Sequence, residues 1–552
     1  MLWGDAHPKE ESMGETTLTG LMMDDYPLSL TAIVERAELL TPERKVVYRR
    51  ADGKVHRTTM GDCADRARRL GAALAELGIG NGDRVGTLMW NQPEHLEAYY
   101  GVPLMGAVVH TLNPRLHPDE LAFIAQDAED KAIIVDESLL GVLDSFREAH
   151  NFEHVIVVSQ SGEIPDGARG YESLIDSAEP MRWPDPDERR ACAICYTSGT
   201  TGRPKGVLYS HRALVLHSFM AALPDQMNIS ARDTVLPVVP MFHANAWGIP
   251  YTATLIGASL VLPGPNLDAE SVLDLLADEK VTLTAGVPTV WMAMLKAIEA
   301  EPERWDLSGL HRLLVGGSAV PKSMIEGYQK HGLTIVQGWG MTETSPLAST
   351  SSVPPELADA SPDEQFEYRA RQGMPAPFVD IRGRGDDGEL IPWDDEAMGE
   401  LEVRGPWVAA AYFHGSGAEK FTDDGWFQTG DVVRIDHRGS IRITDRAKDL
   451  VKSGGEWISS VDMENLLMGH PAVAEAAVIA IPDEKWDERP MAVVVLKDGA
   501  EATPDDLRQH LSRHFAKWQL PERVEYVDEI PRTATGKFKK IALREQFVKA
   551  AV

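Results

Sequence analysis

The sequence predicts an α/β protein: a large N-terminal part of layered sheets and helices, followed by a small α+β domain. Three features of the chain predict it. Helical and strand signals alternate through most of the length, as α/β layers with substantial parallel sheet require. After about Asp431 that alternation gives way to short strand-like segments around one well-capped helix. The 552 residues also exceed what one hydrophobic core supports, so two or three domains are expected.

Taken in order, the acidic start with Asp5, Glu10, Glu11 and Glu15 has no apolar core. It is neither a signal peptide nor a transit peptide, and residues 1–18 read as a disordered leader. Cys63, Ala67, Leu70, Ala73, Leu74 and Leu77 recur at helical spacing, and Gly78 supplies the stop. Apolar runs predict strands at 84–89, 132–135, 155–158, 259–262, 281–285, 313–315 and 334–336, with a helix over 269–279 between two of them. The acidic, Pro-containing stretch 351–372 reads as a surface excursion. Further strands are expected at 440–443, 473–480 and 491–496. Thr503-Pro504-Asp505-Asp506 then gives an N-cap, a first-turn proline and dipole-favourable acids to a helix reaching about Trp518. The charged run 445–449 marks the boundary, dividing residues 19–447 from a C-terminal domain at 448–552.

Composition excludes several functions. The 54 Lys and Arg stand against 85 Asp and Glu, a net charge of −31 that repels nucleic acid and obliges any anionic ligand to find a local pocket of donors. No run of about 18 uncharged apolar residues occurs, so no membrane span is expected, and the cytoplasm is the default location. Three cysteines cannot form a disulfide framework in a chain this long. Cys192 and Cys195 form a C-x-x-C pair, but it lies in an apolar run without a second ligand pair, and reads as buried strand cysteines.

The strongest chemical signal is Tyr196-Thr-Ser-Gly-Thr-Thr-Gly-Arg-Pro-Lys-Gly206, a Ser/Thr/Gly run directly after an apolar strand. Its glycines let successive N–H groups and hydroxyls curl around one anion, and Lys205 adds a mobile positive charge, which suits a polyphosphate. The spacing is not that of a Walker A loop, and the lysine lacks the Ser/Thr that should follow it.

This loop resembles the phosphate loop of the acyl-adenylate-forming superfamily, which includes acyl-CoA synthetases, peptide-synthetase adenylation domains and beetle luciferases. Further matching segments follow in the family's order over roughly residues 30–545. The resemblance implies a multi-subdomain N-terminal domain and a mobile C-terminal lid, with ATP, Mg2+ and CoA as cofactor and co-substrates. It makes Thr197, Ser198, Gly199, Thr200, Thr201, Gly202 and Lys205 ATP contacts, Thr200 serving also at the metal. Gly338-Trp-Gly-Met-Thr-Glu-Thr344 resembles the second adenylate motif: Gly338, Trp339, Gly340 and Met341 at the adenine, Thr342 at the phosphates, Glu343 on magnesium. Gly316-Gly317-Ser318 matches the segment that lines the adenine and acyl pockets, which adds Gly317 and Ser318. Trp426-Phe-Gln-Thr-Gly-Asp431 matches the ribose motif, which assigns Asp431 to the ribose hydroxyls, with Arg446 as a second contact.

Lys448 falls at the family's hinge, although a linker lysine is also an ordinary solvated charge. The loop at 451–456 resembles the one lining the pantetheine tunnel, with Gly454 and Gly455 close to CoA. Pro531-Arg-Thr-Ala-Thr-Gly-Lys537 matches the motif carrying the adenylation lysine; otherwise Lys537 is a surface charge beside Lys539 and Lys540.

For the acyl group, Pro240-Met-Phe-His-Ala-Asn-Ala-Trp-Gly248 matches the place of a gate beside the acyl chain. His243 and Trp247, four apart, would share a face on a helical turn, unless both are core packing. In acetate-specific relatives a tryptophan occupies the place of Gly340, so glycine implies room for a longer acid, while Trp247 argues against an open tunnel. The segment most resembles the 3-methylmercaptopropionate-CoA ligases of marine bacteria, which blend into medium-chain fatty acyl-CoA ligases. The expected activity is therefore an AMP-forming acid–thiol ligase acting on a small carboxylic acid, with a longer fatty acid as the alternative. A homodimer is common among such proteins. Loading of a carrier protein, a luciferase-like oxygenase and a non-catalytic sensor remain competing readings, the last disfavoured because Lys537, Glu343 and the phosphate loop all stand.

Overall fold

A computed structural model describes residues 23, 26–184, 186–197, 203–453, 456–483, 485–533 and 537–548. The leader, Ser198 to Gly202, and Gly454 and Gly455 lie outside the described residues.

The large part is built in five layers around two sheets. The seven-stranded sheet is parallel except at its edge, where Ala191–Tyr196 turns back into Gly206–Ser210. The nine-stranded sheet runs parallel through Thr234–Pro237, Ser259–Leu262, Leu283–Gly286, Arg312–Val315 and Thr334–Gly340, with antiparallel pairs at both edges. Between them lie helices such as Leu30–Leu40, Met60–Glu76 and Pro93–Leu104, which share one core with strands of both sheets. Pro93–Leu104 is buried at all 12 positions, as a helix clamped between two sheets must be. Helices Ala269–Asp278, Pro288–Ala300 and Lys322–Lys330 cover the outer face of the nine-stranded sheet, and Pro118–Asp127 that of the seven-stranded one.

The predicted helix at Cys63 spans Met60–Glu76, opened by a Thr59–Asp62 capping box and followed by Gly78 at φ +81°. The strands expected from apolar runs all form: Ser259–Leu262 as expected, Arg84–Leu88 one residue shorter, Leu283–Gly286 starting two residues later, and the others extended by one to four residues at an end. The excursion at 351–372 holds a capped helix, Pro362–Arg369, that buries Tyr368. Cys63, Cys192 and Cys195 are free and buried; burial alone pushes the Cys195 thiol up to about 11.

Beyond these layers, Asp380–Arg384, Gly399–Arg404, Phe427–Ile435 and Ile441–Arg446 form an antiparallel sheet of four strands. The strand expected at 440–443 thus belongs here rather than with the segments after it. A last sheet of five strands begins at Val451–Ser453, so the chain passes from one sheet to the next across the charged run. Along Val473–Asp483 the side chains alternate between two cores, Ala476 and Val478 on one face, Ala477 and Ile479 on the other.

One helix is shorter than expected. Pro504–Leu511 has the foreseen cap at Thr503 but ends at Leu511, not near Trp518. The N–H groups of His514 and Phe515 both turn back to the Leu511 carbonyl, which carries Phe515 and Leu520 onto the core that Leu507 and Leu511 already fill. Packing of Phe515 outweighs the helical preference of a polar run. Among the described residues no helix is long and apolar enough to cross a membrane.

Candidate active site

The parallel strands of the nine-stranded sheet end at a single cavity of about 590 Å3. Val239, Val287, Gly316 and Gly340, which line it, lie at or just beyond the carboxyl ends of four of these strands. This is where open α/β sheets bind ligands, because strand ends and the loops after them leave backbone groups unpaired.

The lining reverses the sign of the protein as a whole. Arg115, Arg203, Lys205, Arg446, Lys448 and Lys537 face the cavity, against the carboxylates of Glu343 and Glu419. Thr197 and Lys205 close the neck of the expected phosphate loop: the Thr197 N–H donates to the Lys205 carbonyl at 3.0 Å, and the Lys205 N–H to Thr197 Oγ1 at 3.1 Å. Lys205 Nζ stands 5.0 Å over the Tyr412 ring and 3.8 Å from Glu419.

Glu343 is held on a short 3-10 turn, Thr342–Thr344, and is 6% exposed. The Tyr412 phenol donates to its Oε1 at 2.6 Å, the Ala409 N–H to its carbonyl at 2.7 Å, and the Tyr209 phenol to the Thr342 carbonyl at 2.7 Å. Burial and the neighbouring carboxylate push the Tyr412 phenol well above its ordinary range, so it stays a donor at neutral pH. Sequence reasoning missed both tyrosines: Tyr209 reads as a strand residue, and no local pattern links Tyr412 to a turn 69 residues earlier.

Asp431 and Arg446 are cross-strand partners, and their register places Arg446 Nε 2.7 Å from Asp431 Oδ1. The Trp339 indole N–H donates to Asp431 Oδ2 at 2.9 Å. Trp339 is 7% exposed, so it meets the cavity with a small part of its surface. Gly317, Gly338, Gly340, Met341 and Thr342 also line the cavity; Ser318 does not, and is exposed at the surface.

Lys537 reaches the cavity from the other side. Its backbone is fixed by hydrogen bonds exchanged with Thr533, at 2.8 and 3.2 Å. Among the described residues no carboxylate lies within ion-pair distance of its ammonium. Burial first, and then the charge of Arg446, push its pKa down to about 8.

His243, Trp247 and Gly340 also line the cavity. The right-handed turn expected to align the first two is not there. His243 is extended, and Ala244, Asn245, Ala246 and Trp247 all have φ between +42° and +57°, a left-handed turn closed by Gly248 at +72°. His243 lies outside that turn on extended backbone, so helical spacing does not relate the two rings. Burial holds His243 down to about 4, with Lys537 adding to the effect, so it is neutral at pH 7. The glycine at 340 has a backbone cause as well: a Cβ there would overlap the Pro346 carbonyl oxygen.

A cation-lined cavity at the carboxyl ends of a parallel sheet, with the buried carboxylate of Glu343 and the ammonium of Lys537 facing it, defines an enzyme that handles a polyphosphate. The sequence falls in a known group of such enzymes. Residues 34–413 match the AMP-binding enzyme family and residues 462–537 the AMP-binding enzyme C-terminal domain, and the chain belongs to that family. It is 50% identical, over 95% of its length and 96% of the relative's, to the long-chain-fatty-acid–CoA ligase of Thermus thermophilus. It is 43% identical, over 96% of its length and 99% of the relative's, to the 3-methylmercaptopropionyl-CoA ligase of Ruegeria lacuscaerulensis. Its structure is similar to that of an anthranilate CoA ligase in complex with anthranoyl-AMP, with a TM-score of 0.85 and 26% identity over 96% of this chain and 99% of that one.

Proposed function

We propose that this protein is an ATP-dependent acyl-CoA ligase that activates a short- to medium-chain carboxylic acid, 3-methylmercaptopropionate within that range. The observation that carries the reading is Lys537, a lysine without a carboxylate partner among the described residues, whose pKa is lowered to about 8 and which shares one cavity with the buried Glu343. A desolvated cation left unpaired is costly unless an anion completes it.

In the first half-reaction a carboxylate oxygen of the acid attacks the α-phosphorus of ATP. The new acyl–phosphate bond forms as the bond to pyrophosphate breaks, and the electron pair leaves with pyrophosphate. Lys537 bridges the carboxylate and the α-phosphate, where negative charge gathers in the transition state. Lys205 and the loop that Thr197 closes hold the β- and γ-phosphates, and Asp431 with Arg446 holds the ribose. Glu343 fits a magnesium site, because Tyr412 occupies Oε1 and leaves the other oxygen for a hard cation. Bound there, the ion would offset charge on the leaving pyrophosphate. Among the described residues no three His, Cys, Asp or Glu side chains converge, so the substrate phosphates would complete the coordination. In the second half-reaction the small domain turns about Lys448, withdraws Lys537 and brings the 454–455 loop to the thiol. Sulfur attacks the acyl carbon, its proton passes to solvent, and AMP leaves.

The size of the acid is read from Trp247, whose indole lies against Gly316 in the cavity wall. The nucleotide takes much of the 590 Å3, which leaves space for a few carbons. The 50% identity to a long-chain ligase favours the second reading, a longer fatty acid admitted when Trp247 moves. Pyrophosphate release with CoA, over acetate, propionate, butyrate, 3-methylmercaptopropionate, octanoate and palmitate, separates the two. A maximum at butyrate or 3-methylmercaptopropionate supports the first; a maximum at octanoate or beyond replaces it with the second.

A further inference from the structure

Four successive non-glycine residues in the left-handed region form the least expected backbone of the described chain. Among Ala244, Asn245, Ala246 and Trp247 only asparagine tolerates that conformation readily. Asn245 is 1% exposed, and its side chain leaves the turn: Oδ1 accepts from Cys195 Sγ at 3.2 Å, while Nδ2 is buried without a hydrogen-bond partner. A buried amide satisfied on one side only is seldom retained for stability, because the other side costs free energy. Cys195 is the penultimate residue of Ala191–Tyr196, directly ahead of Thr197 at the neck of the phosphate loop. On its far side the turn meets His217, whose Nδ1 would lie 2.7 Å from any Cβ at Gly248 and whose Nε2 accepts from the Leu347 N–H at 3.2 Å. The indole that the turn carries ends against Gly316.

We infer that Asn245 is a positioning residue for acyl-chain length: through Cys195 it pins the left-handed turn to the strand feeding the phosphate loop, and so fixes where Trp247 closes the cavity. The inference rests on the acyl-pocket reading proposed above. Asn245 touches neither nucleotide nor acid in this reading; it acts through Trp247.

The test compares kcat/KM for palmitate and butyrate, with the KM for ATP, in wild type and in Asn245→Ala, Asn245→Gly, Cys195→Ala, Trp247→Ala and Trp247→Ala/Asn245→Ala. Trp247→Ala should raise the palmitate-to-butyrate ratio by about tenfold or more, the scale of a few methylenes of pocket. Asn245→Ala should shift the ratio in the same direction, and adding it to Trp247→Ala should change nothing further. Asn245→Gly keeps the backbone permissive and loses only the amide, so a shift there locates the effect in the side chain. Cys195→Ala leaves the turn's own residues intact and should move the ratio less, in the same direction, with the KM for ATP within twofold of wild type. If Trp247→Ala shifts the ratio while Asn245→Ala, Asn245→Gly and Cys195→Ala merely lower activity on all acids equally, the inference falls and the pocket stands. If the wild type releases no pyrophosphate with any acid, or Trp247→Ala leaves the ratio unchanged, the pocket reading itself falls.

Discussion

Glu343 and Lys537 face the same cavity, and the protein holds them in opposite ways. Glu343 sits on a turn tied down at three points, by Tyr412, Ala409 and Tyr209, at the end of a strand in the middle layers of the large part. Lys537 lies outside the strands of the last sheet, and its ammonium has no carboxylate within ion-pair distance among the described residues. The difference matches what each must do in the proposed reaction: a metal-holding carboxylate is needed in one place, whereas a lysine that must arrive and withdraw is best left unpaired. In that proposed reaction, pre-organisation belongs to the fixed side and release to the moving side.

The largest effect should follow from removing the moving side. Lys537→Ala should lower acyl-AMP formation by about 10²–10³-fold, as loss of one charge-stabilising donor does. Thioester formation from supplied acyl-AMP should be largely retained. Rapid-quench assays of the two half-reactions check this, and equal loss of both would break the contrast. On the fixed side, Glu343→Gln should lower acyl-AMP formation by a comparable factor and raise the magnesium concentration needed for half-maximal rate, read together with Mn2+ binding in the presence of ATP by electron paramagnetic resonance.

The pH dependence is a smaller effect with a definite sign. Lys537 works as a cation, and its pKa in the free protein is lowered to about 8, so kcat/KM for acyl-AMP formation should fall as pH rises through about 8. Bound anions favour the charged form and should move the fall in kcat to higher pH. Lys537→Arg should remove this alkaline limb from the profile. For folding, the same lowered pKa means that the charged lysine costs stability below about 8, a cost that fades as pH rises towards the unfolded value near 10.5. Lys537→Met should accordingly raise the melting temperature slightly at pH 7, measured by calorimetry, and by less at pH 9. The smallest effect is expected from Tyr412→Phe. The Ala409 and Tyr209 hydrogen bonds that hold the Glu343 turn remain in this variant. The effect should appear as a raised magnesium requirement with butyrate and octanoate affected alike.

Much of this architecture is written locally in the chain. The Gly78 stop, the Thr503 cap and the apolar strand runs each depend on neighbours a few residues away, and each of them formed. What stayed hidden depends on distant partners. The Tyr412–Glu343 bond spans 69 residues, and the end of the helix at Leu511 is decided by where Phe515 packs. Ser318 belongs to a matching motif yet is exposed and does not line the cavity, although its neighbour Gly317 does. The turn at 244–248 shows most clearly why spacing alone misleads: two residues four apart align only if the backbone between them is one continuous helix, and here His243 is extended while the residues after it turn left-handed.

The most direct test of the proposed chemistry is to follow the carboxylate oxygen. With butyrate or 3-methylmercaptopropionate labelled with 18O in the carboxyl group, ATP, magnesium and CoA, attack of that carboxylate on the α-phosphorus predicts that the AMP carries one labelled oxygen and the pyrophosphate none. Label found in inorganic phosphate, with ADP as the nucleotide product, would contradict an acyl-adenylate and with it the roles given to Lys537 and Glu343.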